Sequence, residues 1–232
     1  MKKLFSKAGV ITILFAAVLP IYATAAGGIT LNTTRVIYPL DAKQTSVSVR
    51  NTSDKNAFLV QSWVEDSQGN KTRDFIITPP LYTSRAGNEN MLRLIRSGGD
   101  LPRDRESLYY FNSKAIPSLD KKEMEGKNTL ILAAITRIKL FVRPGGLTPT
   151  PDSAPESLRF KTVGKQLEIH NPTPYYLTLT DMKAGDKKLT DIMVAPFDKN
   201  TLPLPAGSGN DITFSTINDY GAVTPPQKGK MQ

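Results

Sequence analysis

Few residues of this 232-residue chain have the types and spacing that catalysis needs. The chain contains no cysteine and one histidine, His170. This composition excludes thiol catalysis, disulfide scaffolds, cysteine-based zinc sites and metal sites built from several histidines. A serine–histidine–aspartate triad would have to use His170, which we interpret as structural because it precedes Asn171-Pro172 at a strand end. No Gly-x4-Gly-Lys phosphate loop is present. We therefore predict no catalytic residue, no metal site and no cofactor.

Two cations, Lys139 and Arg143, have the chemistry to bind an anion. They end a long apolar segment and precede the proline- and glycine-rich stretch 144–151, so a carboxylate held between two domains would suit them. The alternative is that each cation pairs with a nearby acid. Acid pairs such as Asp120 with Glu123 would suit a glycosidase, but they lie in charged loops without the apolar surroundings that shift a carboxyl pKa.

The segment 128–143 that carries these cations is unusual for a strand. Successive side chains of a strand point to opposite faces, and here both faces are apolar as far as Ile135. In a two-sheet sandwich one face of such a strand should meet solvent and be polar. One explanation is that a loop or a second domain covers the outer face. The other is an open edge that pairs with a partner's strand, since proteins usually blunt apolar edges.

Short alternating segments between turn signals predict an all-β protein. Seven strands are expected before Pro144, the number in one immunoglobulin-like sandwich, with Leu130–Val142 as the longest and Trp63 in the core. A smaller β set follows the stretch 144–151, which is the strongest candidate for a domain boundary. The last twelve residues, 221–232, are rich in Pro, Gly and Lys and are predicted to form a loose tail.

Residues 1–25 have the pattern of a secretory signal peptide. Three lysines precede an apolar run of 14 residues, 9–22, and a small-residue cleavage site ends at Ala25. As a membrane anchor the run would span roughly 21 Å, less than the bilayer core of about 30 Å. We predict cleavage after Ala25, a periplasmic location, no stable membrane insertion, and two domains over 26–145 and 146–232.

The net charge of +9 comes from 30 basic and 21 acidic residues. Basic residues alternate with acids, as in the stretch 100–106, which is typical of a solvated surface. A continuous basic stripe would be expected for nucleic-acid binding. The charge pattern therefore predicts no nucleic-acid partner.

Four motifs in this chain resemble the periplasmic chaperones of the chaperone–usher pilus pathway, the PapD-like family, and most closely its type 1 pilus subgroup. In the family's order they are Asp104–Asn112 with Ile116-Pro117, Arg137–Pro144, Asn171–Tyr176 and Ile217–Gly221. The resemblance implies two immunoglobulin-like β-sandwich domains set as an L, with a cleft between them. It also implies a chaperone without enzymatic activity, which stabilises pilus subunits and the tip adhesin and delivers them to an outer-membrane usher.

The resemblance also implies which residues bind the subunit. Subunits of such pili lack one strand of their sandwich, and the chaperone's edge strand complements it. Leu130, Leu132 and Ala134 match the donor positions, although Ala134 is smaller than the usual residue there. Two cations that hold the subunit's C-terminal carboxylate match Arg35 and Lys139.

A third group matches the family's interdomain ion network: Glu106, Arg143 and Asp219. The fork of an arginine can bind two carboxylates, and the expected role is a fixed angle between domains rather than added stability. Lys139 has the opposite strand parity to Leu132. A twist or a bulge would therefore be needed to aim both at one partner.

Two other classes of function stay open at this point. One is an exported enzyme on a β scaffold, and the other is a structural pilus subunit or adhesin. Subunits usually carry a disulfide in their sandwich, which this chain cannot form. Free chaperones of the family can self-associate through the exposed strand, so a weak dimer is also expected.

Overall fold

The structure is a computed structural model that describes residues 27–118 and 130–232. The predicted signal peptide with its cleavage site at Ala25, and the acid pair Asp120 and Glu123, lie outside the described residues. Within them the secondary structure is almost wholly β, with eighteen strands and one short 3₁₀ helix, Ala154–Ser157. None of the described helical residues forms a segment long and apolar enough to cross a membrane.

The first nine strands build one two-sheet domain. They are β1 (Ile29–Leu31), β2 (Arg35–Pro39), β3 (Thr45–Asn51), β4 (Phe58–Glu65), β5 (Phe75–Thr78), β6 (Leu81–Ser84), β7 (Glu89–Arg96), β8 (Ser107–Pro117) and β9 (Ala134–Arg143). One sheet has the order β1-β3-β7-β5 and the other β2-β9-β8-β4-β6. The first domain has nine strands instead of the expected seven. The segment 29–39 divides into β1 and β2, which lie in different sheets, and the sequence did not predict β6.

The core of this first domain lies between its two sheets. It consists of Val36, Tyr38, Leu40, Val47, Val49, Val60, Val64, Phe75, Ile77, Leu92, Leu94, Tyr109, Phe111, Ile138, Leu140 and Val142. Burying each large apolar side chain contributes roughly 1.5–3 kcal/mol. The prediction that Trp63 belongs to this core is wrong. Alternation along β4 turns Val64 inward and leaves Trp63 half-buried on the outer face, where its Nε1 donates to Glu65 Oε1 at 2.8 Å.

The other nine strands form a second domain with a separate core. They are β10 (Arg159–Val163), β11 (Gln166–Asn171), β12 (Leu177–Ala184), β13 (Lys187–Lys188), β14 (Ile192–Val194), β15 (Asp198–Pro203), β16 (Ile212–Thr216), β17 (Gln227–Lys228) and β18 (Lys230–Met231). The sheets run β15-β11-β10-β18 and β13-β12-β16-β17, and β14 pairs with β12. Phe160, Leu167, Ile169, Leu179 and Phe214 are among the buried side chains between them.

His170 lies in β11, between strands β10 and β15. No group of three or more His, Cys, Asp or Glu residues with the arrangement of a metal site occurs within 27–118 and 130–232. The described part of the chain therefore shows no metal site.

The prediction of a loose tail over 221–232 is wrong. β17 pairs with β16, and β18 pairs in parallel with β10, so the chain end closes both sheets of the second domain. Gly229 N donates to Ile212 O and Gln232 N donates to Phe160 O, both at 2.8 Å. Gly229 is one of the glycines that predicted a loose tail. It lies where the backbone packs against Phe160 and Ile212 and leaves no room for a side chain.

We predict that Gly229→Ala destabilises the second domain. A Cβ at this position would lie 2.9 Å from Phe160 Cδ2 and 3.0 Å from Ile212 Cβ, and such overpacking costs about 1–3 kcal/mol. Gly28→Ala is the control, since a Cβ there meets nothing within 4 Å and should change stability by at most about 0.5 kcal/mol. Urea denaturation followed by circular dichroism measures both. Equal stability of the two variants would contradict the docked chain end.

Candidate functional site

Strand β9 has one fully paired edge and one half-open edge. β8 pairs with it from Ala134 to Val142 in an unbroken register. On the other side, β2 runs parallel to β9 and pairs only from Lys139 to Arg143. Among the residues that the structure describes, no strand pairs with 134–138 on that side, and these residues present an open strand edge. The bulge considered from the sequence does not occur in this strand.

The predicted strand starts later than expected. β9 begins at Ala134, because the ladder with β8 ends at the pair of Ala115 with Ala134. Leu130 and Leu132 lie before the strand and are 82% and 72% exposed. The two leucines are thus free apolar side chains leading into the open edge.

The surroundings of the outer face of β9 differ along the strand. Its last part is covered by the second domain, where Phe141 is buried and stacks on Tyr176 with ring centroids 5.6 Å apart. Its first part is open, and Ile135 is 56% exposed. Cover by the second domain therefore explains the last part of the strand, while the first part is exposed and its pairing with a partner's strand stays a prediction.

Arg35 and Lys139 are brought together as expected. They are register partners on the parallel strands β2 and β9, so their side chains leave the same face of the sheet. Arg35 Nη1 donates to Ile217 O at 2.9 Å, and Lys139 Nζ donates to Thr178 Oγ1 at 3.2 Å. No carboxylate within 27–118 and 130–232 forms an ion pair with Lys139. The alternative of a local acid partner is thereby excluded for Lys139 among the described residues, whereas for Arg143 it is correct, since Arg143 pairs with Glu106 and Asp219.

The electrostatics of this cation pair favour an anion. Burial lowers the pKa of Arg35, although Asp219 and Glu106 oppose that shift. Burial also lowers the pKa of Lys139, and the positive charge of Arg35 lowers it further. The buried Arg35 Nε has no hydrogen-bond partner in the part of the chain that the structure describes. Two partly desolvated cations and a spare donor are a natural site for one carboxylate.

The interdomain ion network is also assembled as expected. Arg143 Nε donates to Glu106 Oε1 at 2.7 Å, and its two terminal nitrogens bind the two oxygens of Asp219 at 2.5 and 2.7 Å. Glu106 Oε2 accepts from the backbone N of Tyr176 at 2.8 Å. Glu106 and Arg143 belong to the first domain, and Asp219 and Tyr176 to the second. The network therefore ties the domains together across the cleft.

Opposing effects act on the charges of this network. Burial raises the pKa of Glu106, and the charge of Arg143 opposes that rise. Burial would lower the pKa of Arg143, but its bonds to Asp219 and Glu106 outweigh this and raise it. The arginine stays charged, and its charge compensates a carboxylate that is almost fully buried.

Comparison with known proteins agrees with this architecture. The family described as "Pili and flagellar-assembly chaperone, PapD N-terminal domain" matches residues 28–148, and "Pili assembly chaperone PapD, C-terminal domain" matches 153–228. This chain belongs to the PapD family. The predicted division after residue 145 falls close to the gap between the two matches and stays a prediction.

Several relatives in this family are very similar to the chain. The probable fimbrial chaperone SfmC of Escherichia coli K12 is 48% identical over 92% of this chain and 93% of its own. The chaperone protein FimC of the same strain is 47% identical over 90% of this chain and 86% of its own. Both identities, over nearly full lengths, place the whole two-domain chain in the family.

Solved structures of the family have the same fold. The periplasmic chaperone SfaE has a TM-score of 0.77 and 45% identity, covering 88% of this chain and all of its own. The SafB chaperone, solved in complex with the Salmonella enterica SafA pilin, has a TM-score of 0.79 and 34% identity, over 89% of this chain. These neighbours confirm the all-β, two-domain fold expected from the sequence.

Sequence reasoning missed the second-domain groups that contact the cleft residues. The carbonyl of Ile217 accepts from Arg35, Thr178 Oγ1 accepts from Lys139, and the backbone N of Tyr176 donates to Glu106. Tyr176 and Ile217 lie inside the motifs 171–176 and 217–221, so motif membership was a usable signal. Thr178 lies in a regular strand, and nothing in its sequence context marks it.

We predict that Arg143→Ala destabilises the protein and loosens the two domains. The change leaves buried Glu106 without its cation, and breaking a buried pair costs about 3–5 kcal/mol. The matched control is Arg103→Ala, because the pair of Arg103 with Asp41 is exposed and such pairs contribute at most about 1 kcal/mol. Urea denaturation and small-angle scattering measure stability and domain arrangement. If Arg143→Ala matched Arg103→Ala in both, the network would not hold the domains.

Proposed function

We propose that this protein is a periplasmic chaperone for fimbrial subunits, including a tip adhesin, and that it lends them a strand and delivers them to an outer-membrane usher. It acts by binding and catalyses no reaction. One observation carries the proposal: the open edge of β9 ends at Arg35 and Lys139, one buried and one half-buried cation, and neither forms an ion pair with a carboxylate within 27–118 and 130–232.

The open edge suits donation of a strand. The backbone of residues 134–138 offers unpaired donors and acceptors on one side, which is what β-augmentation requires. Leu130 and Leu132 stand exposed directly before it. When a subunit strand pairs along this edge, β9 extends through these leucines.

The faces of β9 explain how one strand serves two sites. Ala134 has the same parity as Ile138, whose side chain enters the core of the first domain. A subunit strand that pairs with β9 places the subunit's core next to the β9 side chains of this parity. Leu130, Leu132 and Ala134 then complete the apolar core of the subunit, with Ala134 making the shallowest contact.

Lys139 points from the opposite face and has a different task. With Arg35 it binds the C-terminal carboxylate of the subunit, which sets the register of the paired strands. Register matters because a slip of one residue turns the apolar set to the wrong face. Lys139 and the leucines therefore need opposite strand parity, because Lys139 binds the carboxylate and the leucines enter the subunit core.

A separate observation supports each proposed partner and the proposed location. The SafB neighbour was solved with a pilin bound, and several relatives carry the name fimbrial chaperone. The name of SfaE as a periplasmic chaperone and the signal-peptide pattern support the periplasm. The usher rests on the resemblance to the family. The open edge of β9 would also pair weakly with a second copy of the chain.

We expect Leu132→Glu to abolish subunit capture and to leave the chaperone folded. An unpaired carboxylate buried in an apolar groove costs on the order of several kcal/mol, whereas in the free protein it meets water. Met91→Glu is the control, because Met91 is also exposed, at 61%, but lies on the other sheet. Co-purification with a fimbrial subunit and thermal denaturation give the readouts. Loss of capture by both variants, or a large fall in melting temperature for Leu132→Glu, would refute the donor role.

We expect Arg35→Ala and Lys139→Ala each to weaken binding of a subunit's last strand by about 2 kcal/mol or more, the scale for one partner of a desolvated pair. The two losses should be non-additive, because both cations bind one carboxylate. The probe is a synthetic peptide of that strand, from a co-purified subunit, titrated by calorimetry with a free or an amidated C-terminus. If wild-type protein binds both peptides equally, the carboxylate anchor is wrong.

Binding of the free-acid peptide should weaken as pH rises through the pKa of Lys139. The lysine must be protonated to bind the carboxylate, and its pKa lies below the ordinary lysine value because of burial and Arg35. Lys139→Arg should flatten this dependence, since arginine stays charged. Calorimetric titrations from neutral to alkaline pH measure it. An identical pH profile for both proteins would show that Lys139 does not titrate in the site.

A further inference from the structure

One turn of the second domain touches the first domain at three points around the cation pair. This anchor turn is Ile217–Gly221. The carbonyl of Ile217, its first residue, accepts from Arg35 Nη1 at 2.9 Å, and its Asp219 binds Arg143. Its last residue, Gly221, lies against Thr34, the residue that precedes Arg35. The turn therefore contacts both the carboxylate-binding cation and the interdomain cation.

The anchor turn is braced by its own hydrogen bonds. Asn218 N donates to Ala222 O, and Gly221 N donates to Asn218 O, both at 2.9 Å. The side-chain Oδ1 of Asn218 accepts from Tyr220 N at 3.1 Å and from Ala222 N at 3.0 Å. This pattern, in which an Asn side chain closes its own turn, holds the backbone in one shape. The turn can thus act as a rigid support.

Gly221 is the point of closest approach between the turn and strand β2. Its φ is +83°, in the left-handed region that favours glycine. A Cβ at this position would overlap Thr34 Oγ1 and lie 3.4 Å from Thr34 Cβ. Only a residue without a side chain lets the second domain come this close to Arg35.

Arg35 is held in the cleft by few direct contacts. Its guanidinium makes one hydrogen bond among the described residues, to Ile217 O, and lies over the Phe141 ring with Cζ 6.0 Å from the ring centroid. Its buried Nε has no partner within 27–118 and 130–232. Fixing an arginine side chain costs rotamer entropy, so a displaced turn would remove the one hydrogen bond that fixes the guanidinium where a carboxylate arrives.

We infer that Gly221 is a positioning residue for carboxylate binding: it lets the anchor turn dock on Thr34 and so holds Arg35 in place for the subunit's C-terminus. This inference rests on the proposed function and deepens it. The second domain, through a backbone contact, then sets the affinity of a cation that belongs to the first domain.

The test is Gly221→Ala, titrated with the free-acid and amidated peptides of a co-purified subunit's last strand. We expect at least a ten-fold loss of affinity for the free acid and less than a two-fold change for the amide, which does not use the anchor. Thr34→Ala removes the hydroxyl that collides with the new methyl group. The double variant Thr34→Ala/Gly221→Ala should regain most of the affinity that Gly221→Ala loses, with Thr34→Ala alone measured as its reference.

Gly164→Ala controls for backbone strain. Gly164 also has a positive φ, +60°, but a Cβ there meets nothing within 4 Å, so its affinity for both peptides should equal that of wild type. If Gly221→Ala does not fold, Asn218→Ala loosens the same turn without adding an atom against Thr34, and the same selective loss is expected.

The possible results separate this inference from the proposed function. Equal binding of both peptides by wild-type protein would overturn the carboxylate anchor itself. A wild-type preference for the free acid that Gly221→Ala and Asn218→Ala both retain would overturn the positioning role alone. An equal loss for the two peptides, or no rescue by Thr34→Ala, would mean that the turn serves only the fold.

Discussion

The bond between Arg143 and its two carboxylates is the constraint on which the rest of this structure depends. It fixes the second domain against the end of β9, and the second domain in turn covers Phe141 and reaches Arg35 and Lys139. Lys139 lies four residues before Arg143 on the same strand, roughly 13 Å away along an extended backbone. Strand β9 thus carries Arg143 of the ion network, Lys139 of the cation pair and the open edge at fixed separations.

The proposed binding site is in an unfavourable state in the free protein. Two cations are partly desolvated side by side, one arginine nitrogen is buried without a partner among the described residues, and apolar side chains stand in water beside an open strand edge. Each feature opposes folding or solubility. A ligand that supplied a carboxylate, a strand and an apolar groove would relieve all of them together. Such local violations of folding rules are expected where function is carried.

Much of this arrangement was predictable from the sequence. Alternation identified the β class, and the resemblance to the family identified the residues that the structure brings together in the cation pair and in the ion network. The start of β9 was not predictable, because it depends on where its partner β8 stops pairing. Trp63 and Gly229 were misread for a similar reason: their positions are set by which face of a sheet another strand covers. The role of Gly221 depends on a contact between domains, and spacing along the chain does not encode such a contact.

The parallel pairing of β2 with only the last part of β9 has a consequence for the proteins that this chain would serve. An incoming chain and β2 occupy the same edge of β9, so the incoming chain must stop where β2 begins. In the proposed complex, in which β9 extends back to residue 130, the edge from residue 130 to residue 138 would measure the incoming strand with a fixed length, roughly 30 Å, closed at one end. Cargo proteins that match this length would be free to diverge in sequence, but an added or lost residue at their C-terminus would exclude them. Evolution within such a system would conserve length more strictly than identity.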